Sequence, residues 1–269
     1  MQKKIAFILL LITPFWGFAS ENKAIEEFTL NDQQILLAFE ILDTLESNHL
    51  IKKDYASIRH ESFEVFIDRL DPNKTIFTSE ELVSLLTHAN GNIDLEKDLE
   101  LAFKLFNLYV SRYQERYQRQ IDFLNTAQLE SFDTPRALLR DLSEIERLSS
   151  LDDLNALWID LSTNDVIQLM LSGNTLEEAI TKTIKRMDNQ LNYFLQTRNE
   201  DVFNIFVNAI ASIYGPHTNY MSPKNSEDFD INMSLSLEGI GALLSSDGLY
   251  TSISSLVPGG PAEKTESLK

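Results

Sequence analysis

The stretch "SLSLEGIGALLSSDGLYTSISSLVPGGPAEKT", residues 234–265, is where the texture of the chain changes. Two runs of β-type residues flank Asp247-Gly248, a dipeptide that favours a tight hairpin turn. Closely spaced glycines stand at 239 and 241, and a Pro-Gly-Gly-Pro turn follows at 258–261. Pro261 can open a short helix, because its fixed φ suits a first helical position. A Gly-x-Gly loop before a strand lets successive backbone N–H groups turn toward one point and hold a carboxylate without a charged side chain. The strand after it, from about Ala242 to Ser245, would have a free edge with which an extended peptide can pair. From spacing alone, a simple turn explains a Gly-x-Gly more often than such a site does.

Upstream the pattern is helical. "NDQQILLAFEILDTLESNHL" places Ile35, Leu36, Phe39, Leu42 and Leu45 on one face, with Asn31 or Asp32 as the cap. "HESFEVFIDRL" aligns Phe63, Phe66, Ile67 and Leu70 and should end at Asp71-Pro72. Thr78 and Glu81 form a capping-box pattern. The longest periodic piece runs from about Asp94 to Asn125, with Leu95, Leu99, Ala102, Phe106, Tyr109 and Tyr113 in steps of four and three. Such an aromatic stripe is read as core rather than as a cofactor seat. Thr134-Pro135 predicts another helix start, and Thr175 with Glu178 a further capping box. In that helix Leu176, Ile180, Ile184, Met187 and Leu191 face inward. The segment "EDVFNIFVNAIASIY" should stop at Gly215-Pro216. The fold class is therefore mostly α, with a β-type region beginning between Tyr214 and Ser234.

Composition narrows the function. The chain has 269 residues, 43% of them hydrophobic, enough for a large core. Lys3 and Lys4 precede the apolar run Ile5–Ile12, and small residues follow, with a cut expected after Ala19 or Ser20. This reads as an export signal; a membrane anchor would need a longer run. No cysteine is present, so disulfides and thiol chemistry are excluded. The net charge of −18 disfavours nucleic acid and anionic lipid. The histidines, His49, His60, His88 and His217, have no metal-ligand spacing, and Gly239–Gly241 is not a dinucleotide fingerprint. No cofactor and no metal are expected.

Several motifs resemble one family in that family's order. "SLSLEGIGALL…YTSISSLVPGGPAEK" is similar to the opening of the PDZ domain of tail-specific (carboxyl-terminal processing) serine proteases, peptidase family S41. "YGPHTNYMSPKNSEDFDINM" resembles the segment leading into it, with Gly215 where the family usually has Asp. "RLDPNKTIFTSEEL", "FDTPRALLRDL" and "RNEDVFNIFVNAIASIY" resemble its helical N-terminal domain. The resemblance implies a signal peptide at 1–19, a helical domain at 20–214, a connecting segment at 215–233 and the start of a PDZ domain at 234–269. It implies that Gly239, Ile240, Gly241 and Ala242 form the loop for a substrate's C-terminal carboxylate. It also implies a periplasmic location, partners that are apolar C-terminal tails of exported proteins, and an adaptor or self-association through the helical domain. No serine or lysine matches the family's catalytic Ser-Lys pair, so these residues alone are not expected to hydrolyse peptides. The alternative reading is a non-catalytic helical scaffold.

Overall fold

The computed structural model describes residues 27–87, 93–132, 137–139, 141–234, 239–247 and 250–265. The expected export signal, His88, the Thr134-Pro135 helix start and Gly248 all lie outside them. The described part is mostly α-helical, with one small antiparallel sheet near the C-terminal end.

In chain order the helices are α1 (Asp32–Asn48), α2 (Tyr55–Leu70), α3 (Ser79–Thr87), α4 (Leu95–Thr126), α5 (Leu151–Leu171), α6 (Leu176–Phe194), α7 (Asn199–Tyr214) and α8 (Pro223–Met233). Their starts follow from side-chain chemistry. Asn31 and Gln34 cap α1 reciprocally, and Thr175 and Glu178 do the same for α6. Thr78 and Glu81 make the same exchange before α3. Asp94 caps α4, as Ser150 does α5.

The 32-residue α4 is the spine, about 48 Å long. Its first half packs with α1, α2 and α7 around Phe66, Leu99, Phe106 and Phe206, all within 2% of full burial. Its second half packs with α5 and α6 around Tyr117, Leu124, Val166, Ala179 and Met187. Tyr109 and Tyr113 lie between the two cores, with rings 5.7 Å apart. The aromatic stripe is packing, as its spacing predicts.

The loop after α2 is exposed at Pro72 and Asn73 but buries Asp71 and Thr75–Thr78. Asp71 accepts hydrogen bonds from the backbone N–H groups of Thr75, Ile76 and Phe77 and pairs with Arg147. Lys74 reaches the Ile145 carbonyl at 2.7 Å, and the Trp158 indole donates to the Thr75 carbonyl at 2.7 Å. A second buried carboxylate, Asp98, takes the Tyr55 hydroxyl at 2.9 Å and both arms of Arg59 at 2.6 Å. Burial first, and Asp98 second, push the Tyr55 phenol well above its usual range.

Three expectations need correction. Leu36 and Phe39 of α1 are exposed; Leu45 is buried as expected, but Gln34 and Ala38 share the inner face with it. Gln34 can be buried because its amide donates to the Asn199 carbonyl and its oxygen accepts from Asn31. Residues 137–139, just after Thr134-Pro135, are not helical. The segment that follows spends its groups elsewhere: Leu148 accepts from the Ser79 amide, while Ile145 and Arg147 serve the 71–77 loop. Finally, the β-type region expected to begin between Tyr214 and Ser234 does not start before Met233. Met233 ends α8, which starts at the Ser222 cap with Pro223 in its first turn, and among the described residues the first strand begins at Ala242.

Candidate peptide-terminus site

Strand β1 (Ala242–Asp247) pairs antiparallel with β2 (Tyr250–Leu256). Ala242 faces Leu256, and the register shifts between Leu243 and Leu244, leaving Ser254 as the extra residue on β2. Beyond β2 the chain turns through Val257–Gly260 into the short helix α9 (Pro261–Lys264), with Pro261 in its first turn. Ser252 and Ser245 hydroxyls meet across the hairpin at 3.1 Å.

The loop that enters β1 is held from behind. The Ala262 amide donates to the Ile240 carbonyl at 2.9 Å, and the Val257 amide to the Gly241 carbonyl at 2.8 Å. A trans peptide carries its C=O and N–H on opposite sides. The Gly241 N–H therefore points away from Ala262, and the Ala242 N–H away from Val257, onto the outer edge of β1. Gly241 has φ +75°, and a Cβ there would lie 2.8 Å from Pro261 Cδ. The position thus needs glycine both for conformation and for space. Gly260 sits against it, with only 3.1 Å from its own would-be Cβ to Gly241 Cα. Of the four expected site residues, Gly239 and Ile240 are exposed, while Gly241 and Ala242 are partly covered. The structure brings them together as one loop. Leu243, Leu244 and Ile253 stay largely exposed on the hairpin.

Sequence reasoning named the front of this loop and missed its back. The Gly241–Gly260 approach comes from the Pro-Gly-Gly-Pro turn, and the two clamping amides from the residues that flank it, Val257 and Ala262; the turn's close glycines were the visible signal.

Between α7 and α8 a strap, residues 215–222, is fixed at several points. Thr218 Oγ1 and His49 Nε2 are 3.0 Å apart. Asn208 bonds Tyr220 twice, accepting its amide at 2.7 Å and donating to its carbonyl at 3.0 Å. Phe203 packs edge-on against the Tyr220 ring. A side chain at Gly215 would begin 3.2 Å from Thr218 Oγ1, so this residue leaves room for the His49 contact. Tyr214 donates to the Lys53 carbonyl at 3.0 Å, and burial first, with Glu46 and Asp54 adding, pushes its phenol up to about 12. His217 and His60 are exposed, and no cluster fit for a metal ion occurs among the described residues.

The sequence matches the tail specific protease N-terminal domain over residues 41–224, which spans every helix from α2 to α7 and the whole strap. The chain belongs to this family. A curated relative, the tail-specific protease of Haemophilus influenzae, is 32% identical over 214 residues, covering 77% of this chain and 30% of that protein. The chain therefore spans about 30% of the length of the relative it matches. The family match ends before Gly239, so Gly239–Ala242 lie beyond it. Among the described residues no helix of this family member is long and apolar enough to cross a membrane.

Proposed function

We propose that this chain is the N-terminal region of a periplasmic tail-specific serine endopeptidase. Its helical domain, residues 20–214, leads through the connecting segment 215–233 into a PDZ domain that starts at 234. The loop Gly239–Ala242 takes the free carboxylate of a substrate's C-terminus on the outward amides of Gly241 and Ala242. The outer edge of β1 then pairs with the preceding residues of the tail by main-chain hydrogen bonds. Hydrolysis itself would be carried out by a Ser-Lys pair further along the full-length protein, with lysine activating the serine.

The observation that carries the reading is the clamped loop, joined to a helical part whose family is established. Its two carbonyls are occupied from behind, which leaves the amides on the other face to meet an anion. Membership of the tail-specific protease family supplies a reason for a carboxylate to come there.

Two measurements test it. Coding DNA read past codon 269 should continue into the rest of a PDZ domain and a Ser-Lys core; a stop codon with a stable exported product would favour a scaffold instead. The protein encoded by that frame should bind apolar-tailed peptides with a free C-terminus and lose them when the terminus is amidated. Equal binding of the two forms would overturn the carboxylate role.

A further inference from the structure

The C-terminal end of α6 crosses the middle of α4. Phe194 stacks on Tyr113, with ring centroids 4.2 Å apart, and meets Tyr109 edge-on at 5.4 Å. A hollow opens on each side of this crossing. One, of about 650 Å³, lies along α6, where Lys182, Lys185 and Arg186 line it. The other, of about 460 Å³, extends to the end of α2 and the start of α7. Tyr193 and Phe194 border both, which makes them one groove divided by a ridge. The ridge residue Tyr193 is 80% exposed, an unusual cost for a large ring. Tyrosine and arginine are the residues over-represented where binding energy concentrates in interfaces.

Charge distinguishes this groove from the rest of the molecule. Acidic residues outnumber basic ones 41 to 23 in the chain. Yet the lining on its α6 side carries three cations, Lys182, Lys185 and Arg186, and no carboxylate. Lys185 has no ion pair among the described residues. The Lys182 ammonium donates to the neutral amide oxygen of Asn174, and its charge also holds down the Glu178 carboxyl one turn earlier on α6, after that carboxylate's hydrogen bonds to Thr175. Arg186 is paired, at 2.5 Å, with Asp165. At the far end Arg69 reaches the Ile205 carbonyl, and the acid of the lining, Asp201, already accepts from the Arg198 amide at 2.8 Å.

We propose that this groove docks an acidic segment of a partner polypeptide, apart from the Gly239–Ala242 loop. Carboxylates of the segment face Lys182 and Lys185, and its apolar side chains fill the hollows on either side of Tyr193. A second copy of this chain is a poorer occupant. It would bring its own charge of −18 against the same charge here, whereas a short segment brings only its local charges.

The test is fluorescence anisotropy on the full chain with a labelled peptide of roughly twelve residues, about 40 Å when extended, rich in Asp with interspersed Phe. Its C-terminus is amidated, so that the carboxylate loop is offered nothing and failure here leaves the proposed function untouched. The same peptide with Lys in place of Asp is the comparison. The acidic peptide should bind at least about tenfold tighter than the basic one. Lys182→Glu with Lys185→Glu should reverse that preference, and Tyr193→Ala should weaken the acidic peptide's binding severalfold. All three side chains are exposed, so circular dichroism should confirm an intact fold. Equal binding of the two peptides, or acidic binding unmoved by the double variant, overturns the proposal. So does a dimer in sedimentation velocity that the double variant abolishes, because the groove would then belong to a second copy.

Discussion

The helical region and the C-terminal hairpin obey local rules equally well but differ in what stands behind those rules. In the first, caps and periodicity deliver Phe66, Leu99, Phe106 and Phe206 into full burial. In the second, a hairpin and a clamped glycine loop form, yet Leu243, Leu244 and Ile253 remain largely exposed. Local chemistry sets an element's shape, whereas burial against distant parts of the chain supplies most of its stability. An isolated two-stranded hairpin is marginal in water, and ligand-binding segments are commonly drawn from such low-stability parts.

The sharpest way to break this comparison is at Asp71. Its carboxylate is buried and satisfies a set of backbone amides as well as Arg147. Asp71→Ala leaves those amides and a buried guanidinium unpaired, and should cost about 3–5 kcal/mol of the helical region's stability. Urea unfolding followed by far-UV circular dichroism measures it. A midpoint unchanged from the parent would mean that the loop is not a keystone.

Next comes one substitution made twice. Leu99→Ala empties a fully buried site and should cost about 2–5 kcal/mol. Leu244→Ala removes a side chain that is 55% exposed and should stay within about 0.5 kcal/mol. Similar losses from the two, in the same denaturation experiment, would show that the hairpin face is covered and that the contrast between the regions is false.

Gly241→Ala should act on the hairpin alone. A side chain at φ +75° costs about 1–3 kcal/mol, and here it also meets Pro261. Hydrogen exchange should accelerate across residues 240–262 while the melting of the helices stays put. Unaltered protection there would mean that the clamp is not needed to hold the loop.

Much of this was legible in the sequence, and the misses have physical causes. Reciprocal caps such as Thr175–Glu178 are local, so the spacing that suggests them also builds them. The inner face of α1 was not local. Periodicity sees Leu36 and Phe39 as better buried than Gln34, but the partner that makes Gln34 tolerable is Asn199, 165 residues away. Likewise, Asp71-Pro72 was readable as a turn, whereas the Arg147 that neutralises Asp71 is 76 residues distant. Ser222-Pro223 opened a helix and Thr134-Pro135 was not followed by one at 137–139, although both carry the same signal. For the Gly239–Ala242 loop, the glycines announced a tight turn. Which way its amides face was decided by Val257 and Ala262, and these are long-range bonds.

Within the helical region the smallest expected effect is a pH dependence. Burial raises the Asp165 carboxyl above its ordinary value, and Arg186 at 2.5 Å offsets this only in part. The folded chain therefore holds that proton more tightly than the unfolded chain does. Stability from this group is greatest below the ordinary carboxylate range and declines as pH rises from the unfolded value through the raised folded one. Asp165→Asn cannot titrate, so the variant should gain on the parent across that window by less than about 1 kcal/mol, the exposure of the pair keeping the figure low. Urea midpoints for both proteins at about pH 4 and about pH 6 measure the difference. Parallel slopes would mean that water reaches Asp165 freely, and that the second core is wetter between α5 and α6 than its packing implies. A steeper parental slope would set that interior further apart from the solvent-facing hairpin.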